Sequence, residues 1–165
     1  MEVMTWAFIG TIIGAIASIA TTIITNWSSY LIVRQTKGYE RKEIANTFQR
    51  QTIIELQVEL LEYIRSCYQA YLYDCNQFKK TGEWGGKLPE DLNTKNRELS
   101  AKTSILIQRI SNNELRDNLL VLKDSCARCT LSKKKSEADE LYAILSEDYQ
   151  KSNELLGMVL RSTYQ

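Results

Sequence analysis

The 165-residue sequence contains no histidine. That excludes Ser-His-Asp triads, histidine metal sites and any imidazole pH switch. One proline and seven glycines are too few for the many turns of a β sandwich or barrel. Charge is also missing, but only locally. From Trp6 to Val33 there is no Asp, Glu, Lys or Arg, whereas from Arg34 onward the chain is strongly polar. The averages hide this, since 25% charged and 44% hydrophobic residues are ordinary for a soluble domain. A net charge of +1 supplies no general field for nucleic acid, so no direct nucleic-acid binding is expected.

The uncharged segment exceeds the roughly 20 residues that a helix needs to cross a bilayer core. Trp6 and Trp27 would stand about 31 Å apart along a helix rising 1.5 Å per residue, close to the thickness of that core. Trp favours both membrane interfaces. A cleaved secretory signal competes, because Ala15-Ile16-Ala17 imitates a cleavage site. However, Met1–Thr5 carries Glu2 and no basic residue, and the apolar run is too long for a signal. The expected plan is a short external N-terminus over 1–5, a transmembrane helix over 6–33 and a cytoplasmic helical domain over 34–165. Orientation follows from Arg34, Lys37, Arg41, Lys42 and Arg50, which follow the span while no basic residue precedes it. The positive-inside rule then predicts a single-pass protein with a short N-terminus outside and the C-terminal domain in the cytoplasm. Four cysteines agree with a reducing compartment.

The faces of the span differ. Ile9, Ile12, Ile16, Ile19 and Ile23 recur at alternating three- and four-residue steps and form a branched stripe suited to lipid. Gly10 and Gly14, continued by Ser18, allow close approach of a second helix. Thr11, Ser18, Thr22, Thr25 and Ser29 form a hydroxyl row. These side chains can bond their own helix carbonyls, or they can line a polar lumen between copies. Trp6, Trp27 and Arg34 are the expected interface residues, Gly10 and Gly14 the packing residues, and the hydroxyl row the pore lining. A pore requires several copies.

Residues 39–80 contain neither Gly nor Pro, which predicts a long helix, with Gly38 as the flex point between it and the span. Ile53, Leu56, Leu60, Ile64, Cys67, Tyr71, Cys75 and Phe78 make one apolar stripe; Ile54, Val58, Leu61, Tyr68 and Leu72 make a second beside it. So wide a face fits contact on two sides, within the chain or with another subunit, and equally the central helix of a monomeric bundle. The glycine-rich stretch from Thr81 to Pro89 breaks the pattern. Pro89 suits the first turn of a helix running to about Ile110, with Leu92, Leu99, Leu106 and Ile110 inward. Ser111-Asn112-Asn113-Glu114 reads as a capping box, followed by Leu115, Leu119, Leu122, Cys126 and Cys129 on one face. Ser136-Glu137-Ala138-Asp139 marks the start of a last helix with Ala138, Leu141, Leu145, Tyr149, Leu156, Val159 and Thr163 inward. The predicted fold is all-α: one transmembrane helix and a cytoplasmic four-helix bundle with a long first helix.

Chemistry is hard to find. Cys126-x-x-Cys129 invites a zinc reading with Cys67 and Cys75, but the latter pair is too widely separated for a tight metal turn. All four cysteines lie on apolar stripes and read as packing. Glu55, Glu59 and Glu62 resemble carboxylate ligands on a bundle, yet a di-iron site also requires histidine. Lys79-Lys80 and Lys133-Lys134-Lys135 are short basic runs at helix ends, and Trp84 sits in the one irregular segment. No enzyme activity, metal or cofactor is expected.

Two phrases carry a resemblance: Arg41-Lys42-Glu43 through Leu60-Leu61, and Ile107-Gln108-Arg109-Ile110-Ser111-Asn112-Asn113-Glu114-Leu115-Arg116. With the uncharged span they resemble a group of small bacterial single-span proteins with helical cytoplasmic domains. The chain is similar in size and layout to the membrane accessory proteins of type VI-B CRISPR systems. That resemblance implies a HEPN-like helical domain, ring assembly as a homo-oligomer, and a membrane pore that aids antiviral defence beside an RNA-guided effector partner. HEPN ribonucleases follow an Arg by a His four to six residues later. No His follows Arg109, Arg116, Arg128 or Arg161, so the resemblance carries the pore and not the nuclease. A non-conducting membrane tether that recruits a soluble partner is the alternative.

Overall fold

The computed structural model describes the backbone of residues 2–164 and the side chains of residues 11–164. Among the described residues the chain is all-α, with no strand: α1 (Glu2–Thr81), α2 (Glu90–Gln108), α3 (Asn113–Leu131) and α4 (Lys135–Ser162). It divides into two units, Met1–Ala45 and Asn46–Gln165.

The first unit is helical despite many β-branched residues, which are indifferent helix formers in water. Its described apolar side chains, Ile12, Ile13, Ile16, Ile19, Ile23 and Ile24 among them, are all exposed. The apolar window is 0% buried within the chain, and the helix is long and apolar enough to cross a membrane. Each isoleucine left in water forgoes about 1.5–3 kcal/mol of burial, so this surface calls for an apolar medium or another chain.

The second unit is a four-helix bundle. Its core joins Ile53, Leu56, Leu60, Tyr63 and Cys67 of α1 to Leu99, Leu106 and Ile107 of α2, with Ile110 just beyond. Leu115, Leu119, Leu122, Cys126 and Cys129 of α3 and Leu141, Leu145 and Leu156 of α4 complete it. Cross-links between helices fix their directions. Asn96 reaches Ser66 at 3.1 Å and Lys102 lies 3.8 Å from Glu59, so α2 runs antiparallel to α1. Ser125 donates to Asp148 at 2.9 Å and Ser152 to Asn118 at 2.7 Å, so α4 runs antiparallel to α3, as short loops require.

The buried face of α1 differs from the expected stripe in its second half. Tyr63, Ser66, Ala70 and Asp74 are buried, whereas Ile64, Tyr71, Cys75 and Phe78 are only half-buried. The expected stripe follows the most apolar residue at each three- or four-residue step; the helix instead turns Tyr63 and the smaller or polar Ser66, Ala70 and Asp74 toward its neighbours. Leu92 of α2 is likewise half-buried rather than inward. The caps also shift. Asn112, not Ser111, is the N-cap of α3, and its side chain accepts from the Leu115 N–H at 2.8 Å. Ser111 N–H donates instead to Gln49 Oε1 at 3.0 Å, while Gln49 Nε2 donates to the Arg109 carbonyl at 2.9 Å. One side chain of α1 thus satisfies two backbone groups of the α2–α3 turn. For α4 the N-cap is Lys134, and Ser132 rather than Ser136 holds the start, bonding Glu137 at 3.1 Å. Pro89 precedes α2 as its N-cap, with Glu90 and Asp91 in the first turn, where carboxylates suit the positive end of the helix.

Candidate functional site

Four regions compete for a function. In the first unit, Ser18, Thr22, Thr25 and Ser29 are exposed on α1, as is Thr11. Thr22 Oγ1 donates to the Ser18 carbonyl at 2.9 Å and Thr25 Oγ1 to the Thr21 carbonyl at 2.8 Å; Thr21 does the same to Ala17 at 2.8 Å. In an apolar medium a hydroxyl without a partner costs several kcal/mol, and this back-bonding removes that cost. The same hydroxyls keep acceptor lone pairs for water. Gly14 has open space where a side chain would be. Trp27 and Arg34 are exposed. The side chain of Trp6 and the environment of Gly10 lie outside the described residues.

The second region is the cysteine cluster. Cys67 and Cys126, from α1 and α3, are both fully buried. The Cys126 thiol hydrogen-bonds the Cys67 sulfur, and Asn96 Nδ2 adds a donor at 3.4 Å. These donors draw the Cys67 thiol below its ordinary value against the opposing effect of burial. Cys126 is raised by the same bond and then by burial. Burial pushes Cys129 up to about 11. Tyr142 donates its hydroxyl to the Cys67 carbonyl, and burial raises both Tyr142 and Tyr63. A depressed thiol would be a nucleophile if a substrate could reach it. Cys67 is closed off by the core on every side that matters, so the cluster joins α1 to α3 and offers nothing to solvent. Cys75 stands apart from it, half-buried.

The third region is the Thr81–Pro89 turn, where Gly82 and Gly85 adopt positive φ. Trp84 folds back onto α1, its ring edge-on to Tyr71 at 5.8 Å and to Phe78 at 6.1 Å. Its Nε1 is buried without an acceptor, as is Asp74 Oδ1 without a donor; burial raises the Asp74 carboxyl. Tyr71 donates to Asp139 at 2.6 Å, and Lys135 meets the same carboxylate at 2.5 Å. That carboxylate is held low chiefly by Lys135, then by Tyr71.

The fourth region is the acidic row. Glu62 pairs with Arg65 at 2.6 Å and Glu59 faces Lys102 at 3.8 Å; Glu55 is exposed. Among the described residues, no three His, Cys, Asp or Glu side chains are grouped to hold a metal ion. Lys79 and Lys80 end α1, where they complement the helix dipole. Lys133 to Lys135 bridge the end of α3 and the start of α4. A groove of about 810 Å³ beside α2 is lined by Tyr63, Asn96, Arg97, Glu98, Ser100 and Thr130.

One surface was not singled out as a site from the sequence. Of the second stripe of α1, Ile54, Val58 and Leu72 are exposed and Leu61 is half-buried, while Tyr68, half-exposed, stands edge-on to Tyr142 of α4 at 6.1 Å. Its signal was present in the width of the apolar face, but the same width also fits a buried central helix. No protein family, curated protein or solved structure matches this chain.

Proposed function

We propose that the chain is an oligomeric effector of a bacterial inner membrane that forms a pore or depolarises the membrane, working in antiviral defence under the control of a partner. The observation that carries this reading is the uncharged, isoleucine-rich part of α1, whose described apolar side chains nothing in the chain covers. In hydrocarbon every backbone group must be bonded internally, which a helix achieves. The basic residues from Arg34 onward put the Asn46–Gln165 unit in the cytoplasm. Several copies bring Gly10 and Gly14 to helix contacts and turn Thr11, Ser18, Thr22, Thr25 and Ser29 to the axis, with Trp6, Trp27 and Arg34 at the interfaces. Back-bonded threonines suit a lumen that alternates between dry and wet. The CRISPR-accessory resemblance supports the defence context, with an RNA-guided effector as the partner. No catalytic step, cofactor or metal enters this reading.

Topology is tested first: a reporter fused after Gln165 is cytoplasmic, and periplasmic activity of that fusion would overturn the reading. Ion flux is tested next, in membranes containing the full chain. A protein that inserts and recruits a soluble partner but passes no current is the tether instead.

A further inference from the structure

Just beyond the uncharged run of α1, one helix face is shaped and charged for an anion. A shallow hollow of about 610 Å³ is lined there by Leu31, Arg34, Gln35, Gly38, Tyr39 and Lys42. Their spacing, i, i+3, i+4, i+7, i+8 and i+11, is that of a single helix face. Gly38 leaves the floor open, since a Cβ built there meets nothing within 4 Å. Charge is sorted around the same point. At about 100° per residue, Arg34, Arg41 and Lys42 fall within roughly 60° of Gly38 and Lys37 within roughly 100°. Glu40 and Glu43 fall roughly 140–160° away, on the far side. All six charged side chains are exposed. Long side chains on a helix lean toward its N-terminus, which directs Arg41 and Lys42 back to Gly38; Arg34 precedes it and can extend away from hydrocarbon. We propose that these cations form a collar that binds the phosphate of an anionic phospholipid in the cytoplasmic leaflet.

The rest of that face selects a lipid as the occupant. Ile24, Trp27 and Leu31 precede Gly38 within roughly 40° of its direction, and all three are exposed. A phospholipid uses both parts, its acyl chains on this apolar track and its phosphate among the cations. Inorganic phosphate has no use for the track, and an RNA strand would leave it in water. Basic clusters at the cytoplasmic end of a span attract anionic headgroups. The direction also agrees with the assembly proposed above, on whose membrane reading this inference rests. Thr22, Thr25 and Ser29 lie roughly 140–180° from Gly38, so with the hydroxyl row at the axis the collar faces the bilayer.

The test uses the full chain, purified in mild detergent with equal amounts of phosphatidylglycerol and phosphatidylcholine added. Native mass spectrometry counts each lipid bound per chain. The collar predicts that phosphatidylglycerol is retained in preference. One Lys or Arg beside an anionic headgroup changes affinity about fivefold, and Lys42→Gln should lower the preference by that factor. Gly38→Leu changes no charge but fills the floor, and should lower it too. Glu40→Gln, on the far side, should leave it unchanged. Opposite changes of similar size at Lys42 and Glu40 would mean a diffuse field rather than a collar and would overturn the proposal. So would displacement of the lipid by excess inorganic phosphate or by single-stranded RNA. A wild type that resists alkaline extraction from membranes yet shows no preference ends the collar and leaves the membrane reading standing. A wild type that alkali extracts ends both.

Discussion

Replacing Gly14 by leucine separates contacts within the chain from contacts between copies. A side chain built at Gly14 has nothing within 4 Å in its own chain, so the substitution creates no internal clash. Leucine is the better helix former, by somewhat under about 1 kcal/mol in water, and it favours hydrocarbon. A single chain should therefore insert at least as well as the wild type. Between copies the sign reverses. Extra methylenes in a close helix contact cost about 1–3 kcal/mol, and at 1.4 kcal/mol per factor of ten this weakens each contact about 5- to 150-fold. Insertion is measured by resistance to alkaline extraction, and assembly by mass in mild detergent across a dilution series. The expected result is a fully inserted Gly14→Leu chain that dissociates at higher concentration than the wild type. An inserted variant with unchanged mass and unchanged ion flux would refute the placement of the glycines between helices.

Three further outcomes follow from the same geometry. In the proposed assembly the isoleucine row faces lipid, so cysteine at Gly14 should cross-link between copies and cysteine at Ile16 should not. The reverse pattern would move the contact to the isoleucines. Gln49→Ala removes two hydrogen bonds at the α2–α3 turn, at 2.9 and 3.0 Å, and should cost about 1–2 kcal/mol; an unchanged thermal midpoint would show that water replaces the clamp freely. Asp74 is 8% exposed and burial raises its carboxyl, so the folded state holds the proton more tightly than the unfolded chain. Its penalty is absent below the ordinary aspartate value and grows as pH rises through the raised one. Asp74→Asn should therefore melt higher than wild type at neutral pH and converge with it in acid, whereas parallel pH profiles would show the carboxyl to be solvated.

The sequence revealed the helices more readily than their contacts. The glycine-rich break before Pro89 and the spacing of Leu115, Leu119, Leu122, Cys126 and Cys129 define elements by local chemistry, and these appear as read. The N-caps of α3 and α4, Asn112 and Lys134, lie one and two residues from the expected Ser111 and Ser136. The choice of Asn112 depends on Gln49, which takes the Ser111 N–H from sixty-two residues away. The Cys67–Cys126 contact is likewise a product of assembly; a lone Trp in a glycine-rich turn is expected to fold onto the bundle, as Trp84 does, but its partners Tyr71 and Phe78 are set by the packing. On α1 the two apolar stripes lie side by side, and local periodicity alone does not say which one the chain buries. In the first unit the hydroxyl row and the glycine pair are legible as residues, but the pore role proposed for them rests on neighbouring copies that one chain does not show.

The central claim is that several copies together let ions through the membrane, along the hydroxyl row. Current through planar bilayers containing the purified full chain tests it most directly, with wild type compared with Thr22→Leu. Thr22 is exposed and bonds only the Ser18 carbonyl in its own chain, so leucine there should preserve insertion and assembly while making the lumen harder to wet. The account predicts discrete unitary currents for the wild type and smaller or rarer ones for the variant at equal oligomeric mass. An inserted, oligomeric wild type that passes no current at any voltage would contradict it.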